Sequence, residues 1–502
     1  MEENLNTTKI TYAKNLNNIK INTSISVPID SNVNIKRILD IQTYLYDTKA
    51  DCGNGKAIIN GKIGVKVLYI DTDNLTNNVT ENQSFSETYS NQAITSDCVL
   101  NISNYTITNS VLSTEGSLKI SFEVVINPIV YVNLPLNTNN NFENMIIKKS
   151  ELDSNTIVKF VNTNFEYTGI FETKENIAKV LCCNTHYTNL NLTSNENYAV
   201  AEGKLYATLI YETTENDEIK IKQITDCFNV KTDINLEGIS NDYLLDVNFI
   251  VDNSKQNIST DIEDDNTIIS VLNSVQVVGV CTKNIKLEIV DDLYSTENEI
   301  EINQTRRDFT KLVHSHYLEE NVVNEISLTN EETAIDEVVA NLEMCTEITN
   351  TYLKDETLFV EGIVNSNLMF LDENKEYRSK KCEIPFIINT KIMLTKLDCT
   401  HSTVTIEDCK VKIKRGTIIE LEYKLCANIC IYEQISKDVV DNIKIGKLLD
   451  YSNLDYQIYL SKPNENIWEL CKRIKTTHEE LLKYNKNLPL ELTGKEKIII
   501  KR

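Results

Sequence analysis

Asn60-Gly61-Lys62-Ile63-Gly64-Val65-Lys66-Val67-Leu68-Tyr69 alternates apolar residues with polar residues or glycine and ends on an aromatic, the period-two pattern of a β-strand with one face in a core. The same signature, a Gly with an aromatic eight residues on, returns at Glu202-Gly203…Ile210-Tyr211 and Glu361-Gly362…Met369-Phe370. Its flanks return as well. An Ile opens a short apolar cluster 26, 26 and 27 residues before the three Gly: Ile35-Lys36-Arg37-Ile38-Leu39, Ile177-Ala178-Lys179-Val180-Leu181 and Ile335-Asp336-Glu337-Val338-Val339. Phe85, Phe228 and Phe386 follow the aromatics by 16, 17 and 16 residues. One module used three times points to surface for assembly or multivalent binding, whereas an active site is normally built once.

The fold class expected is mainly β: three tandem β-rich modules of antiparallel sheets, sandwich-like, followed by a small C-terminal βααβ unit. Each module is expected to open with one short helical turn over its Ile cluster and to continue as meandering strands. Asn54-Gly55 fits a two-residue hairpin turn. The Gly before each run fits a bulge or a close backbone approach, and the aromatic a core anchor. Module one spans residues 20–135. Polar connectors at 136–164 and 286–324, the second with Arg306-Arg307, group with the modules that follow them, giving 136–285 and 286–435. A linker at 436–455 leads to the unit at 456–502.

A length of 502 residues suggests three or four domains. Lys+Arg number 50 against 74 Asp+Glu, a net of −24, which argues against a nucleic-acid partner. From Tyr456 onward there are ten Lys/Arg and six Asp/Glu, a net of +4, so the rest of the chain carries −28. No apolar stretch approaches the ~20 residues needed to span a bilayer. Met1-Glu2-Glu3-Asn4-Leu5-Asn6-Thr7 lacks a signal-peptide pattern, so a cytoplasmic protein is expected. In that compartment the thirteen Cys read as reduced core thiols, with oxidative cross-linking in an assembled structure as the alternative.

In the C-terminal unit a strand, Gln457-Ile458-Tyr459-Leu460, precedes a helix N-capped by Asn466, with Glu469 three residues on. Ile467, Leu470, Cys471 and Ile474 share one face of that helix. A second helix starts from Thr477, with Glu480 completing a capping box, and buries Leu481 and Leu482. Lys497-Ile498-Ile499-Ile500 closes the unit as a strand. This pattern resembles the LysM family, whose (V/I)-K-x-G-D-T-(L/I)-W-x-(I/L)-A is met by Leu460-Ser461-Lys462-Pro463-Asn464-Glu465-Asn466-Ile467-Trp468-Glu469-Leu470-Cys471. The resemblance implies a partner- or glycan-binding surface on two loops: Lys462, Pro463, Asn464, Glu465, Asn466 and Trp468, then Asn485, Lys486, Asn487 and Leu488. The family's Gly-Asp-Thr is replaced here by Asn464-Glu465-Asn466, which puts sugar binding in question. Trp468 also fits a half-buried core aromatic, and Asn485 a helix C-cap.

The repeated module resembles the SPOCS-type repeat of spore-coat-associated proteins. Module one supplies both family motifs, in Val27-Pro28-Ile29-Asp30-Ser31-Asn32-Val33-Asn34-Ile35-Lys36-Arg37-Ile38-Leu39 and in Ile59-Asn60-Gly61 through Leu68-Tyr69. Modules two and three keep mainly the second motif. Several such repeats followed by one LysM unit are similar to the SipL-like coat-assembly family of spore-forming Firmicutes. That resemblance implies a morphogenetic scaffold docked through the LysM unit to the coat basal-layer ATPase, SpoIVA. It would sit in the mother-cell cytoplasm at the forespore surface, with other coat proteins held on the β modules and self-association left open. The alternative is a peptidoglycan-binding protein of the spore envelope.

The residues offer little for catalysis. His314-x-His316 has no further His or Cys at ligand spacing. Cys426 and Cys430 would lie roughly 13 Å apart along one strand, too far for a disulfide. Cys182 and Cys183 would point to opposite faces. Gly53-x-Gly55-Lys56 lacks the spacing of a phosphate loop. The expectation is a protein that is not an enzyme, with no catalytic residues, metal or cofactor.

Overall fold

The computed structural model describes residues 7–501 apart from 16–18, 29–33, 93, 97, 103–104, 115–116, 127–128, 138–144, 216–217, 241, 264–265, 328–333, 395, 452–455, 487 and 490. As expected, it is nearly all β. Strands β1 (Thr7–Asn15), β2 (Ile19–Pro28), β3 (Ile35–Gly53), β4 (Lys56–Asp71), β5 (Thr76–Ser90), β6 (Val99–Asn101), β7 (Tyr105–Thr114), β8 (Ser117–Ile126) and β9 (Ile129–Asn137) form three antiparallel sheets. Their orders are β3-β4-β5, β2-β8-β7 and β1-β9-β6. The next six strands are β10 (Met145–Thr173), β11 (Ile177–Asn195), β12 (Tyr198–Glu215), β13 (Glu218–Asn235), β14 (Leu244–Glu263) and β15 (Asn266–Ser295). They give β11-β12-β13 and β10-β15-β14. A third set, β16 (Asn298–Ser327), β17 (Ile335–Lys354), β18 (Thr357–Asp372), β19 (Tyr377–Lys391), β20 (Cys399–Arg415) and β21 (Ile418–Leu448), repeats the arrangement as β17-β18-β19 and β16-β21-β20.

In each set the meander packs on the second sheet. Val65 and Val67 share a core with Leu118, Ile120 and Val124. Ala199 and Ala201 pack with Val277 and Cys281, and Val360 and Val364 with Leu421, Tyr423 and Leu425. The central meander strands end in unbroken apolar runs because both of their faces are covered. Val67 and Tyr69 enter the first sandwich, while Leu68 and Ile70 point out of it into a cluster shared by all three sets.

That shared cluster is built from equivalent positions. Leu39, Leu181 and Val339 come from the three Ile clusters, and Leu68, Ile210 and Met369 immediately precede the three aromatics. The contacts run head to tail: β5 meets β11, β13 meets β17, and β19 meets β3. A heterologous interface that returns to its start closes a ring, so the three meanders surround a pseudo-threefold axis. Polar bonds rim each junction. Lys179 Nζ donates to Thr76 O at 3.0 Å, Ile221 N to the Tyr377 hydroxyl at 2.9 Å, and Arg37 to Tyr377 O at 2.8 Å and to Glu376 at 3.1 Å.

The expected helical turns are not there. Each Ile cluster opens a strand, and its spacing mimics a helix because the register slips twice in the same places. The slips fall at Ile35/Arg37 and Ile38/Asp40, Ile177/Lys179 and Val180/Cys182, and Ile335/Glu337 and Val338/Ala340. Each bulge inserts a residue and breaks the period of two, so neighbouring residues turn to one side. A third shift, at Tyr46/Lys49, Thr188/Asn191 and Ile348/Asn350, lies opposite Gly61, Gly203 and Gly362. The bulge expected at the Gly therefore sits on its partner strand. Asn54 and Gly55, at φ 51° and 75°, form the expected tight turn.

The polar connectors are strands. Residues 145–157 of β10 pair with the far half of β15, and the start of β16 pairs with residues 432–448 of β21. The stretch read as a linker thus belongs to a ladder as far as Leu448. The two ribbons pack on each other through Leu287, Ile289, Phe309 and Val439, and through Val290, Leu293 and Val440. They form an arm leading away from the ring, and Arg307 donates to Asp441 at 2.8 Å across it.

One junction carries a pH response. His186 Nε2 lies 2.9 Å from Ile406 O, which requires Nε2–H, and the ring stacks on Tyr206 at 5.6 Å. Burial pushes its pKa down to about 4. Since the unfolded ring takes its proton near pH 6.5, stability falls as pH drops from there toward 4, by about 3 kcal/mol at most. We expect a lower urea midpoint at pH 5 than at pH 7.5, with a smaller difference in His186→Gln.

Candidate interaction surface

Beyond the arm, β22 (Tyr456–Leu460), β23 (Pro463–Asn466), α1 (Ile467–Ile474), α2 (His478–Tyr484), β24 (Glu491–Thr493) and β25 (Lys497–Lys501) make the βααβ unit. β22 pairs antiparallel with β25. Asn466 caps α1 in a full capping box with Glu469. Thr477 caps α2, but the Glu480 carboxylate accepts from the Thr476 hydroxyl at 3.1 Å instead of returning to the cap. Leu470, Cys471, Ile474, Leu481, Leu492, Ile498 and Ile500 form the core. Leu482, expected inside, is exposed, because its position on α2 faces away from the sheet.

The first candidate loop is braced from within. Lys462, Pro463 and Asn464 are exposed, and Asn464 adopts φ 61°. Glu465 is buried and takes Arg473 in a two-pronged bond at 2.6 and 2.7 Å. Its carboxylate also accepts from Lys462 N at 2.9 Å. The Arg473 bond, the largest influence, holds the carboxyl below its ordinary pKa.

The second loop is mixed. The Asn485 amide donates to Leu481 O at 2.8 Å and to Ile499 O at 2.7 Å, and its oxygen accepts from Ile499 N at 2.9 Å. It is the C-cap of α2 and also blocks the β25 edge. Lys486 is exposed, Leu488 packs on the core, and Asn487 lies outside the described residues. Asn485→Ala is expected to destabilise this unit by about 1–3 kcal/mol, since it strands backbone partners. Local hydrogen exchange over 478–501 would measure that.

Trp468 is turned toward the arm. Its indole Nε1 donates to Asp292 Oδ2 at 2.8 Å, and Lys472 donates to the other oxygen of the same carboxylate. Its ring meets Tyr294 edge-on, with centroids 5.2 Å apart. The Tyr294 hydroxyl donates to Thr476 O at 2.8 Å. Asp292 and Tyr294 lie in a stretch read as a connector, so sequence reasoning missed them. The apolar Leu293-Tyr294 pair after two acids was the available signal.

Elsewhere, Glu319, Glu407 and Cys426 cluster closely enough to suggest a metal, but Lys424 Nζ bridges both carboxylates. The His314 and His316 rings stack at 5.7 Å. Cys182 packs toward the axial cluster and Cys183 into the sandwich, so they do face opposite ways. The twelve cysteines whose side chains are described are free thiols. A cavity of about 880 Å³ opens between the modules. Among the described residues, its charged lining, Asp47, Lys49 and Asp51, lies on one stretch of β3.

No curated protein and no solved structure matches the chain significantly. Residues 34–127 match the family model described as SipL, SPOCS domain. That span runs from β3 through β8; apart from the short β6, its order of elements recurs from β11 into β15 and from β17 into β21. The match supports a SipL-like relationship over the first of these units and a sporulation-related role for the protein.

Proposed function

We propose that this protein is a non-enzymatic morphogenetic scaffold of the spore coat. In this reading all three modules are SPOCS-type and the βααβ unit is a LysM domain that docks to the basal-layer ATPase SpoIVA at the forespore surface. Other coat proteins are then tethered by the β modules. The observation that carries it is the match at 34–127 to a sporulation family, on the unit that the fold uses three times. Repetition here is spent on a closed body from which an arm holds the C-terminal unit outward. The engagement of Trp468 by Asp292 and of Asn485 by Ile499 argues against glycan binding through those two residues.

Binding of purified full-length protein to purified SpoIVA tests the reading, with electron microscopy of a deletion strain. We expect direct binding, and coat material detached from the forespore in the deletion. A normal adherent coat would sink the proposal. Retention on purified peptidoglycan would favour the glycan-binding alternative.

A further inference from the structure

In β22 the alternation is inverted. Tyr456, Ile458 and Leu460 face outward at 60%, 69% and 61% exposure, and Ile499, also exposed at 41%, pairs with Ile458 across the ladder. Gln457, between them, is only partly exposed. Lys501 pairs with Tyr456 and Lys497 with Leu460, and both Lys are exposed. The outer face of this two-stranded sheet is thus an apolar patch with a Lys at each end. Contiguous exposed apolar side chains rimmed by charge mark interaction sites.

The surroundings narrow the mode of contact. Asn485 occupies the N–H and C=O of Ile499 on the β25 edge, and Arg473 donates to Leu460 O at 3.1 Å on β22. Strand addition at an edge is therefore disfavoured, which leaves the face. The α1 side of the unit is already held on the arm through Trp468 and Lys472, whereas the sheet face is left exposed.

The occupant follows from charge. Two copies meeting face to face would oppose Lys497 and Lys501 with their own counterparts, which costs free energy. An acidic partner gains instead. We infer that the outer sheet face, Tyr456, Ile458, Leu460 and Ile499 between Lys497 and Lys501, is the docking surface for an acidic amphipathic protein segment. Along β25, Lys497, Ile499 and Lys501 repeat at about 6.8 Å. A segment with carboxylates two positions either side of an apolar residue matches that spacing. The inference rests on the docking role proposed above and relocates it from the loops to the sheet.

The test compares SpoIVA binding by the full-length protein and three variants: Ile458→Asp, Lys497→Glu with Lys501→Glu, and Lys462→Glu with Lys486→Glu. Unchanged Trp468 emission verifies folding in each. The expected result is about tenfold or greater weakening in both face variants, as for centrally placed interface residues, and little change in the loop variant. The converse pattern overturns the inference while leaving the docking role intact. If the wild type does not bind SpoIVA, the functional reading falls. The face is then tested with anionic lipid vesicles and by sedimentation for self-association. Binding to vesicles, self-association through the face, or no binding in any assay overturns the acidic-protein partner.

Discussion

Replacing Tyr294 by Ala should shift the emission of Trp468 to the red and open it to soluble quenchers, with little change in the ring of β modules. Trp468 is the only Trp in the chain, so the signal reports on this contact alone. Tyr294 is 1% exposed and is the arm's buried contribution to a cluster otherwise made by the C-terminal unit. Truncating a buried aromatic typically costs about 3–5 kcal/mol. Here that loss falls across a contact between two bodies, so release of the unit is expected before general unfolding. The lost hydroxyl also leaves Thr476 O without its donor. Asp292→Asn should have a smaller effect, since an amide oxygen can still accept from the indole while the Lys472 ion pair is lost. Burial by itself would raise the Asp292 carboxyl. The hydrogen bonds from Lys472 and Trp468 outweigh that and hold it below its ordinary value of 3.8. A depressed carboxylate contributes stability above its unfolded pKa that is lost as pH falls. The same red shift is therefore expected on acidification below about pH 4. Unchanged emission in Tyr294→Ala would show that the unit is held by other contacts.

The dock also shows where sequence was legible. The C-terminal helices and their caps were readable because Asn466, Glu469 and Thr477 act on backbone groups within four residues. The three modules were readable because their core positions repeat. The helical turns were misread for a physical reason: two bulges three residues apart give Ile35, Ile38 and Leu39 a spacing that looks helical. The ribbons were misread because, in the arm, β10 pairs with β15 and β16 with β21 over separations above a hundred residues. Nothing local marks the partner strand. The candidate site fared likewise. Lys462 through Asn464 are exposed, but Pro463–Asn466 form the short strand β23 and not an open loop. The partners of Trp468 lie about 176 residues away, and only the fold brings them together.

Gly362→Ala is expected to be more damaging than Gly61→Ala, the same conservative change at the signature glycine of the first module. Gly362 pairs with Phe386 across the β18–β19 ladder and faces the bulge at Ile348/Asn350. An added Cβ would come within 2.4 Å of Phe386 Cζ and 2.4 Å of Glu347 O. Phe386 is buried, so its ring cannot swing into solvent, and a strand carbonyl cannot move without disturbing its ladder. Overpacking usually costs about 1–3 kcal/mol, and the backbone clash puts this change at the upper end. At Gly61 the same Cβ meets only side chains, Phe85 at 2.7 Å and Thr48 at 3.2 Å. The two sites should therefore respond differently to relief. Phe85→Leu should restore most of the stability lost in Gly61→Ala, whereas Phe386→Leu should restore only part of that lost in Gly362→Ala. Hydrogen exchange across 335–391 and 35–90 would measure both. In the second unit Phe228 pairs not with Gly203 but with Leu205. Its ring lies over Gly169 on β10, where a Cβ would approach to 2.7 Å. Gly169→Ala, on a strand the sequence presented as partly connector, should therefore behave like Gly61→Ala. If it is silent, the aromatic in that unit is not seated on glycine, and the three units differ in more than sequence.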